Sequence, residues 1–406
     1  MKIVLSPAGS RGDIAPLLTV GCALQTRGHE VIFCAAPNFA AWVKSQGLTF
    51  RPCGRDLQAM LAEKAEIIIA AGPVRILREA LAIVRSEFRA YLETLRSETV
   101  GADLLVATAG QLAAPSAAEA AGIGFRCVVL CPLLIPSQEH PPVFFPYRKL
   151  PRPLNSFLWK LSGGATDSLL KRTLNEQRRA MGLGAVSRLW EHCLGPRPIL
   201  AADAALAPVD AETALRVTQT GSLLVDDPAA LNPELETFLT AGPPPAYIGF
   251  GSMTDRGAET TSVMLARAVR AAGVRGLISR GWAGFETPGD TDLLTIGDVP
   301  HGRLFPRVSV VVHHGGAGTT AAAARAGVPQ IVVPHFLDQH YWASRVADLG
   351  LGPAPIPRKR LQQRSLAEAL RSCAEDPGFR ARAAAFASRM RTDAVNETVR
   401  RLESGT

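Results

Sequence analysis

The stretch VVVHHGGAGTTAAAARAGVPQIVVPHFLDQ, Val310 to Gln339, contains two strand-like runs separated by one helix-like run. The first apolar run ends at His313 and His314, a glycine-rich turn follows, and Thr319 and Thr320 open an alanine-rich helix. Continuous apolar strands that alternate with helices are typical of a parallel sheet covered on both faces. This stretch therefore predicts a doubly wound α/β domain.

The same alternation runs through the rest of the chain, once in each half. A chain of 406 residues is too long for one ordinary core, so two domains are expected. We predict a first domain over 1–212, a second over 213–380, and a helical tail over 381–406 that packs back on the first domain. Ligands of such sheets bind beyond the carboxyl ends of the strands, so a ligand in a central cleft would meet loops of both Rossmann-like domains.

Composition limits the class of protein further. Hydrophobic residues make up 47% and charged residues 20%, which is typical of a globular protein, and no apolar run is long enough to span a bilayer. The first strand begins at Lys2, which leaves no room for a signal peptide. Seven cysteines without a C-x-x-C pair predict reduced, mostly buried thiols and a cytoplasmic location. The charge of +8 suits anionic ligands or a lipid surface, and no nucleic-acid partner is expected.

The glycine-rich turn has the chemistry of a phosphate site. A helix N-terminus offers unpaired N–H groups and the positive end of a dipole, and His314 beside it can donate a hydrogen bond. The turn contains no lysine and no G-x-x-x-x-G-K-[ST], so it is not a nucleotide-hydrolysing P-loop. Asp338 and Gln339 follow the next strand, and a carboxylate with an amide suits vicinal sugar hydroxyls.

A second turn, SPAGSRGDIAPL from Ser6 to Leu17, follows the first strand. Gly9 and Gly12 do not form the G-x-G-x-x-G of a dinucleotide site, and Asp13 lies in the turn instead. Asp13 has two interpretations. It can cap a helix that begins at Ile14, or it can act as a general base.

These motifs resemble the glycosyltransferases of the GT-B fold. HHGGAGTT…AGVPQIVVPHFLDQ, with GSRGDIAPL, RGHEV and GFGS, is similar to the bacterial family 1 enzymes that glycosylate natural products, glycolipids and sterols, including glycopeptide glycosyltransferases. The similarity covers essentially the whole chain. It implies an inverting enzyme whose second domain binds a nucleoside diphosphate sugar, with UDP or dTDP left open, and whose first domain binds the acceptor.

The resemblance also implies residue roles. Asp13 stands where members with GSRGD have their proposed base, and Val299 stands where plant members stack a tryptophan on the nucleoside base. Asp338 and Gln339 match the pair that contacts the donor hexose or deoxyhexose. The residues that the resemblance places at the diphosphate are Ser252, His314, Gly316, Ala317, Gly318 and Thr319. Ser10 and Arg11 are also expected there, because they lie close to Asp13 in the sequence. The residues expected to line an apolar acceptor pocket, within PPVFFPY, are Val143, Phe144 and Phe145.

Several alternatives remain. The acceptor can be a natural-product aglycone, a lipid or a sterol. The alternatives to a transferase are a nucleotide-sugar epimerase on a similar fold and a non-enzymatic carrier of lipid or antibiotic. The proline-rich segment 132–153 favours a transferase, because an epimerase needs no bulky acceptor pocket. The stretch YRKLPRPLNSFLWK, from Tyr147 to Lys160, can contact a membrane or form a solvated helix. Asp290–Asp292, DTD, is interpreted as a turn, so neither a metal nor a cofactor beyond the donor is expected.

Overall fold

The computed structural model describes residues 1–56, 59, 73–145, 147–210, 212–213, 215–225, 229–287 and 291–404. Two parallel sheets form its framework, in agreement with the predicted alternation. The first sheet contains β1 (Lys2–Ser6), β2 (Glu30–Ala35), β3 (Thr49–Pro52), β4 (Leu104–Thr108), β5 (Gly124–Val129), β6 (Ile199–Leu200) and β7 (Thr218–Gln219). The second contains β8 (Ala246–Gly249), β9 (Gly276–Ser279), β10 (Leu293–Ile296), β11 (Val310–His313) and β12 (Gln330–Val332).

Helices cover both sheets. Those of the first half are α1 (Arg11–Thr26), α2 (Ala40–Ser45), α3 (Pro73–Glu98), α4 (Ala114–Ala121), α5 (Arg152–Ala180) and α6 (Leu189–Leu194). Those of the second half are α7 (Pro233–Thr240), α8 (Ala258–Ala272), α9 (His301–Leu304), α10 (Ala317–Arg325), α11 (Gln339–Asp348), α12 (Gln363–Glu375), α13 (Pro377–Ala387) and α14 (Ala394–Glu403). None of the helices in the described ranges is both long and apolar enough to cross a membrane.

The strands are apolar because both faces of each sheet are covered. In β1, Ile3, Val4 and Leu5 are fully buried, and they pack into two different cores on opposite faces of the sheet. Successive side chains of a strand point to opposite faces, so such a strand must be apolar throughout. This is why the continuous apolar runs predict the strands well.

The strand pairing and helix packing near residues 212 and 381 show which segments of the chain belong to each sheet. β7 pairs with β6, so the first sheet reaches Gln219, beyond residue 212. Helix α13 packs against α10 of the second half, whereas α14 packs against α1 of the first. Val399 and Leu402 of α14 are buried in the core around α1, and Glu403 pairs with Arg27 at 2.7 Å. The chain therefore crosses back to the first sheet between α13 and α14.

The two halves share buried surface as well as a cleft. One hydrophobic core contains Leu133 and Val143 from the first half together with Ala321 and Trp342 from the second. Arg11 at the start of α1 also forms an ion pair with Asp298, which follows β10 in the second half. These contacts hold the loops of the two sheets opposite each other.

Candidate active site

Each sheet reverses its strand order at one place, and the predicted motifs lie at these places. The orders are β3-β2-β1-β4-β5-β6-β7 and β10-β9-β8-β11-β12, so the reversals lie between β1 and β4 and between β8 and β11. Asp13 follows β1, Ser252 follows β8, and His314 follows β11. Open α/β sheets bind ligands at such reversals. Topology therefore places each of the two motifs at the ligand-binding edge of its own sheet.

The turn after β1 is built around the carboxylate of Asp13. Asp13 Oδ2 accepts hydrogen bonds from the Ser10 backbone N–H at 2.8 Å and from the Ser10 hydroxyl at 3.3 Å. Gly9 has a φ of 137°, and a Cβ at this position would lie 2.1 Å from Oδ2. Glycine is required here because any side chain would displace the carboxylate.

The structure corrects the capping interpretation of Asp13. Helix α1 begins at Arg11, with Ser10 at the N-cap, so Asp13 is the third residue of the helix and does not precede Ile14 as a cap. Asp13 still stabilises the N-terminus of α1, because its side chain accepts a hydrogen bond from the backbone N–H of Ser10, the N-cap residue. Both hydrogen bonds end on Oδ2, so the capping interaction uses only one of the two carboxylate oxygens.

Burial raises the pKa of Asp13 to about 6. The hydrogen bonds from Ser10 oppose this effect, and the negative charge of Asp338 adds to it. At neutral pH the group is still mainly ionised, and it is a stronger base than an ordinary carboxylate. These properties suit a proton acceptor in a cleft.

The turn after β11 leads directly into the N-terminus of α10. Gly315 has a φ of 89°, and a Cβ there would lie 2.9 Å from the carbonyl oxygen of Gln339, so this position also requires glycine. Gly316 is the N-cap residue. The first turn of α10 contains three more of the predicted diphosphate residues, which are Ala317, Gly318 and Thr319. Their N–H groups lie at the positive end of the helix dipole.

His314 lies between two glycines at the same edge of the sheet. A Cβ at Gly316 would be 2.6 Å from His314 Nε2, and one at Gly251 would be 3.1 Å from Cε1. His314 Nδ1 is buried and has no hydrogen-bond partner among the described residues. Burial lowers the pKa of His314 to about 3, so the ring is neutral and retains one N–H to donate. Ser252 follows Gly251 and is half-buried.

His313 has a different environment from that of His314. It is fully buried, its Nδ1 accepts the Gly315 N–H at 3.1 Å, and its Nε2 lies 2.9 Å from Gln330 Oε1. Because Nδ1 is an acceptor, Nε2 carries the proton and donates to the glutamine. His313 therefore holds the turn and has no free nitrogen for a ligand.

Asp338 lies at the start of α11, opposite the first domain. Its Oδ2 accepts a hydrogen bond from Trp342 Nε1 at 2.9 Å. Burial raises the pKa of Asp338 to about 6, and the bond from Trp342 opposes this rise. Leu337, immediately before Asp338, has a φ of 53°, which is uncommon outside glycine. Strain of this kind is concentrated at functional sites.

Gln339 is already engaged within its own loop. Its Oε1 accepts the N–H groups of His335 at 2.8 Å and Phe336 at 3.2 Å, and its Nε2 lies 3.5 Å from Met253 Sδ. The predicted amide contact with a sugar would therefore come from Nε2 alone. The amide oxygen fixes the loop that carries Asp338.

Arg11 is the first residue of α1, and its side chain makes contacts in both domains. Its guanidinium forms the ion pair with Asp298 and stacks over the Trp42 ring at 4.5 Å. Asp298 is adjacent to Val299, which is half-buried against a core of the second domain. Arg11 is thus positioned beside the segment expected to bind the nucleoside base, and its role at the diphosphate stays a prediction.

The three predicted acceptor residues do not share one environment. Val143 is buried in the core common to both halves, and its role in an acceptor pocket stays a prediction. Phe144 is 59% exposed and contacts the Trp190 ring edge-on, with centroids 6.4 Å apart. Phe145 is half-buried. Phe144 and Phe145 therefore keep part of their apolar surface exposed.

No group of three or more histidine, cysteine, aspartate or glutamate side chains within the described ranges could hold a metal ion. Asp290, the first aspartate of DTD, lies outside the described residues. All seven cysteines are free thiols, and six of them are buried.

Two residues of the site, Asp298 and Trp342, are not identified from the sequence motifs. The four-residue spacing of Asp338 and Trp342 is the one signal that could identify such a pair from sequence, since it places both on one face of a helix.

Comparisons with known proteins agree with this arrangement. Residues 3–130 match the glycosyltransferase family 28 N-terminal domain, and residues 288–404 match the C-terminal domain of erythromycin biosynthesis protein CIII-like enzymes. Glycosyltransferase GtfE of Amycolatopsis orientalis is 38% identical over 403 residues, which cover 97% of this chain and 95% of that protein. The vancomycin aglycone glucosyltransferase of the same organism is 38% identical over 415 residues, covering 99% and 97%.

Solved structures agree in fold. Glycosyltransferase VinC in complex with dTDP has a TM-score of 0.73 at 22% identity, covering 100% of this chain and 99% of that one. The calicheamicin glycosyltransferase CalG4 has a TM-score of 0.72 at 19% identity, covering 100% and 98%. The fold and the cleft define a glycosyltransferase of the GT-B class, which confirms the predicted fold. The chain belongs to the family 1 glycosyltransferases, together with GtfE and the vancomycin aglycone glucosyltransferase.

Proposed function

We propose that this glycosyltransferase moves a hexose or deoxyhexose from a UDP or dTDP sugar to a hydroxyl group of an apolar acceptor, with inversion at the anomeric carbon. Two relatives support the donor class. A dTDP-epi-vancosaminyltransferase of Amycolatopsis orientalis is 34% identical over 368 residues, and VinC binds dTDP. The vancomycin aglycone glucosyltransferase supports a natural-product acceptor.

In this proposal Asp13 is the general base. The acceptor oxygen forms a bond to the anomeric carbon as the bond to the diphosphate oxygen breaks, and the acceptor proton passes to Asp13. The base belongs to the first domain and the diphosphate-binding site to the second, so the nucleophile attacks from the side opposite the leaving group. In-line displacement of this kind inverts the anomeric carbon.

The second domain stabilises the leaving diphosphate without a metal ion in this mechanism. Negative charge develops on the diphosphate oxygen as the sugar departs. The N-terminus of α10 directs N–H groups and its dipole at this charge, and the neutral ring of His314 donates one further hydrogen bond. Asp338 and the Nε2 group of Gln339 bind sugar hydroxyls.

One observation carries the proposal most directly, namely the environment of Asp13. Gly9 leaves room for the carboxylate, Ser10 fixes its Oδ2, and burial with the charge of Asp338 raises its pKa to about 6. A carboxylate that acts only as a helix cap has no use for a pKa above the ordinary value for aspartate, whereas a general base does.

Asp13→Asn tests the proposal, because asparagine keeps the shape and can still accept the Ser10 N–H. Turnover, followed by mass spectrometry with a panel of donors and apolar acceptors, should fall by about 10²–10⁴-fold, the usual contribution of a general base. Binding of the nucleoside diphosphate should change little. An Asp13→Asn enzyme that glycosylates an alcohol at the wild-type rate would exclude Asp13 as the base.

A lipid or sterol acceptor is the second candidate. A sterol 3-beta-glucosyltransferase of Arabidopsis thaliana is 30% identical over 406 residues, which cover 91% of this chain and 62% of that protein. Leu154, Phe157 and Leu161 of α5 are 42%, 58% and 50% exposed, and their spacing places them on one helix face near Lys160. Such a face suits peripheral contact with a membrane.

Sedimentation with anionic vesicles tests this second candidate. If the enzyme glycosylates a membrane lipid, the wild-type protein should sediment with the vesicles and a Phe157→Ser, Leu161→Ser variant should not. A wild-type protein that stays in the supernatant would favour the natural-product acceptor.

A further inference from the structure

The carboxylate of Asp338 is held by a residue one helical turn further along α11. Trp342 donates its Nε1–H to Asp338 Oδ2 at 2.9 Å, and its backbone N–H donates to the Asp338 carbonyl at 3.1 Å. The side-chain bond fixes one carboxylate oxygen and thereby the rotation of the whole group. The other oxygen, Oδ1, makes no bond to the indole.

The indole itself is held in one orientation. Trp342 is 1% exposed, and Tyr341 contacts its ring edge-on with centroids 5.1 Å apart. Tyr341 in turn contacts Tyr147 of the first domain, also at 5.1 Å. Rotation of the indole would therefore require repacking of the core that joins the two domains.

The surroundings of Asp338 make this bond necessary. The group is buried and lies near the negatively charged Asp13 of the other domain. A buried carboxylate is stable in its ionised form only with hydrogen-bond donors around it. The indole N–H is the side-chain donor that the structure provides, and it opposes the rise in pKa that burial causes.

The geometry points to Trp342 as a positioning residue for the donor sugar: its indole N–H fixes the carboxylate of Asp338 so that the second oxygen can accept hydrogen bonds from sugar hydroxyls. This inference rests on the proposed function, in which Asp338 binds the sugar. Binding of the two parts of the donor should therefore respond differently to a change at Trp342. The sugar depends on Trp342, whereas the diphosphate, bound at α10, does not.

Trp342→Phe removes the N–H and keeps an aromatic ring. Calorimetry would compare UDP and dTDP with their glucose conjugates, using the conjugate that the wild-type enzyme binds more tightly. The Kd of the conjugate should rise by about tenfold, as expected for loss of a hydrogen bond to a charged group. The Kd of the matching nucleoside diphosphate should stay within about twofold. Trp342→Tyr also lacks the indole N–H and serves the same comparison if the phenylalanine variant does not fold.

Two reference variants make the outcome specific. Trp159→Phe loses an indole hydrogen bond of the same length, to the His140 carbonyl at 2.9 Å, but lies outside α11, and it should bind both ligands as the wild-type enzyme does. Asp338→Asn should weaken binding of the sugar conjugate. Adding Trp342→Phe to Asp338→Asn should weaken it little further, because both substitutions act through one carboxylate.

The reference variants also separate the failure of this inference from that of the proposed function. If Asp338→Asn leaves the conjugate unaffected, the proposed sugar contact of Asp338 is wrong. If Asp338→Asn weakens binding of the sugar conjugate but Trp342→Phe does not, the positioning role of Trp342 is wrong. The same holds if Trp342→Phe weakens binding of the nucleoside diphosphate as much as it weakens binding of the conjugate.

Discussion

The negative charge of Asp338 in the second domain raises the pKa of Asp13 in the first. Burial is the larger cause, and each of the two carboxyl groups has a pKa raised to about 6. The protonation of the proposed base therefore depends on a residue expected to bind the sugar, so that the two domains are linked electrostatically as well as by packing.

This pair predicts the acidic limb of the pH–rate profile. A general base works only when it is deprotonated, so kcat/KM should fall as the pH drops below about 6, with Asp13 and Asp338 both contributing. An unperturbed aspartate would place the limb near pH 4. Measurement of kcat/KM from pH 4.5 to 8 in buffers of constant ionic strength checks this prediction.

Asp338→Asn should move that limb to lower pH. The substitution removes the negative charge that raises the pKa of Asp13, so Asp13 loses its proton more readily. The position of the limb, not the height of the plateau, is the quantity to compare, because donor binding also changes. A limb that stays in place would show that the two carboxylates do not interact in solution.

His314→Ala should weaken binding of the nucleoside diphosphate by about tenfold or more, because the diphosphate loses a buried donor. Asp13→Asn is the matched variant in the opposite domain and should bind the diphosphate almost normally. Calorimetry with UDP and dTDP measures both. Equal losses in the two variants would place the diphosphate elsewhere in the cleft.

Much of the fold can be predicted from sequence, because strands buried on both faces are continuously apolar and helices begin at polar or glycine turns. The runs at Val310 and Lys2 therefore predict the central strands of both sheets. The edge strand β7 is only Thr218–Gln219, too short and polar to stand out. Its pairing with β6 depends on tertiary contacts, which is why the predicted boundary lies earlier.

The site is predicted less completely than the fold, for a physical reason. Motif residues such as Asp13 and His314 can be identified because local geometry fixes their turns. What each side chain contacts depends on distant segments. Arg11 pairs with Asp298 across the cleft, and Val143 lies in a core that contains residues of both domains. No spacing along the chain indicates either contact.

Activity should persist in excess chelator. The N-terminus of α10 and His314 provide the electrostatic stabilisation that a metal ion would otherwise supply to the diphosphate. Turnover with and without EDTA, followed by addition of magnesium or manganese, measures the effect. Loss of activity on chelation and its recovery with either ion would require a metal site, and Asp290–Asp292 would then be the first candidate.

Gly9→Ala should lower turnover by about 10²-fold while diphosphate binding is retained. A Cβ at this position would lie 2.1 Å from Asp13 Oδ2, so the carboxylate must move away from Ser10. Gly28→Ala is the matched control, because Gly28 also has a positive φ, 83°, but no atom lies within 4 Å of the added Cβ. Both variants carry backbone strain, and only Gly9→Ala should affect the rate. Similar rates in the two variants would mean that Asp13 need not stay in its present position.

Asp13→Asn should make the protein more stable at neutral pH, although it lowers turnover. The pKa of Asp13 is about 6 in the folded protein and about 3.8 in the unfolded chain, so the folded state binds the proton more tightly. The stability that this group contributes is fully present below pH 3.8 and is lost as the pH rises through 6, where the folded protein must hold a buried charge. Asparagine carries no charge to bury. The Tm of Asp13→Asn should therefore exceed that of the wild-type enzyme at pH 7.5, and the difference should shrink as the pH approaches 4. The Tm of Asp13→Asn could instead lie below that of the wild-type enzyme at pH 7.5, or the difference could be independent of pH. Either result would show that Asp13 is an ordinary helix-end carboxylate whose ionised form does not destabilise the folded protein.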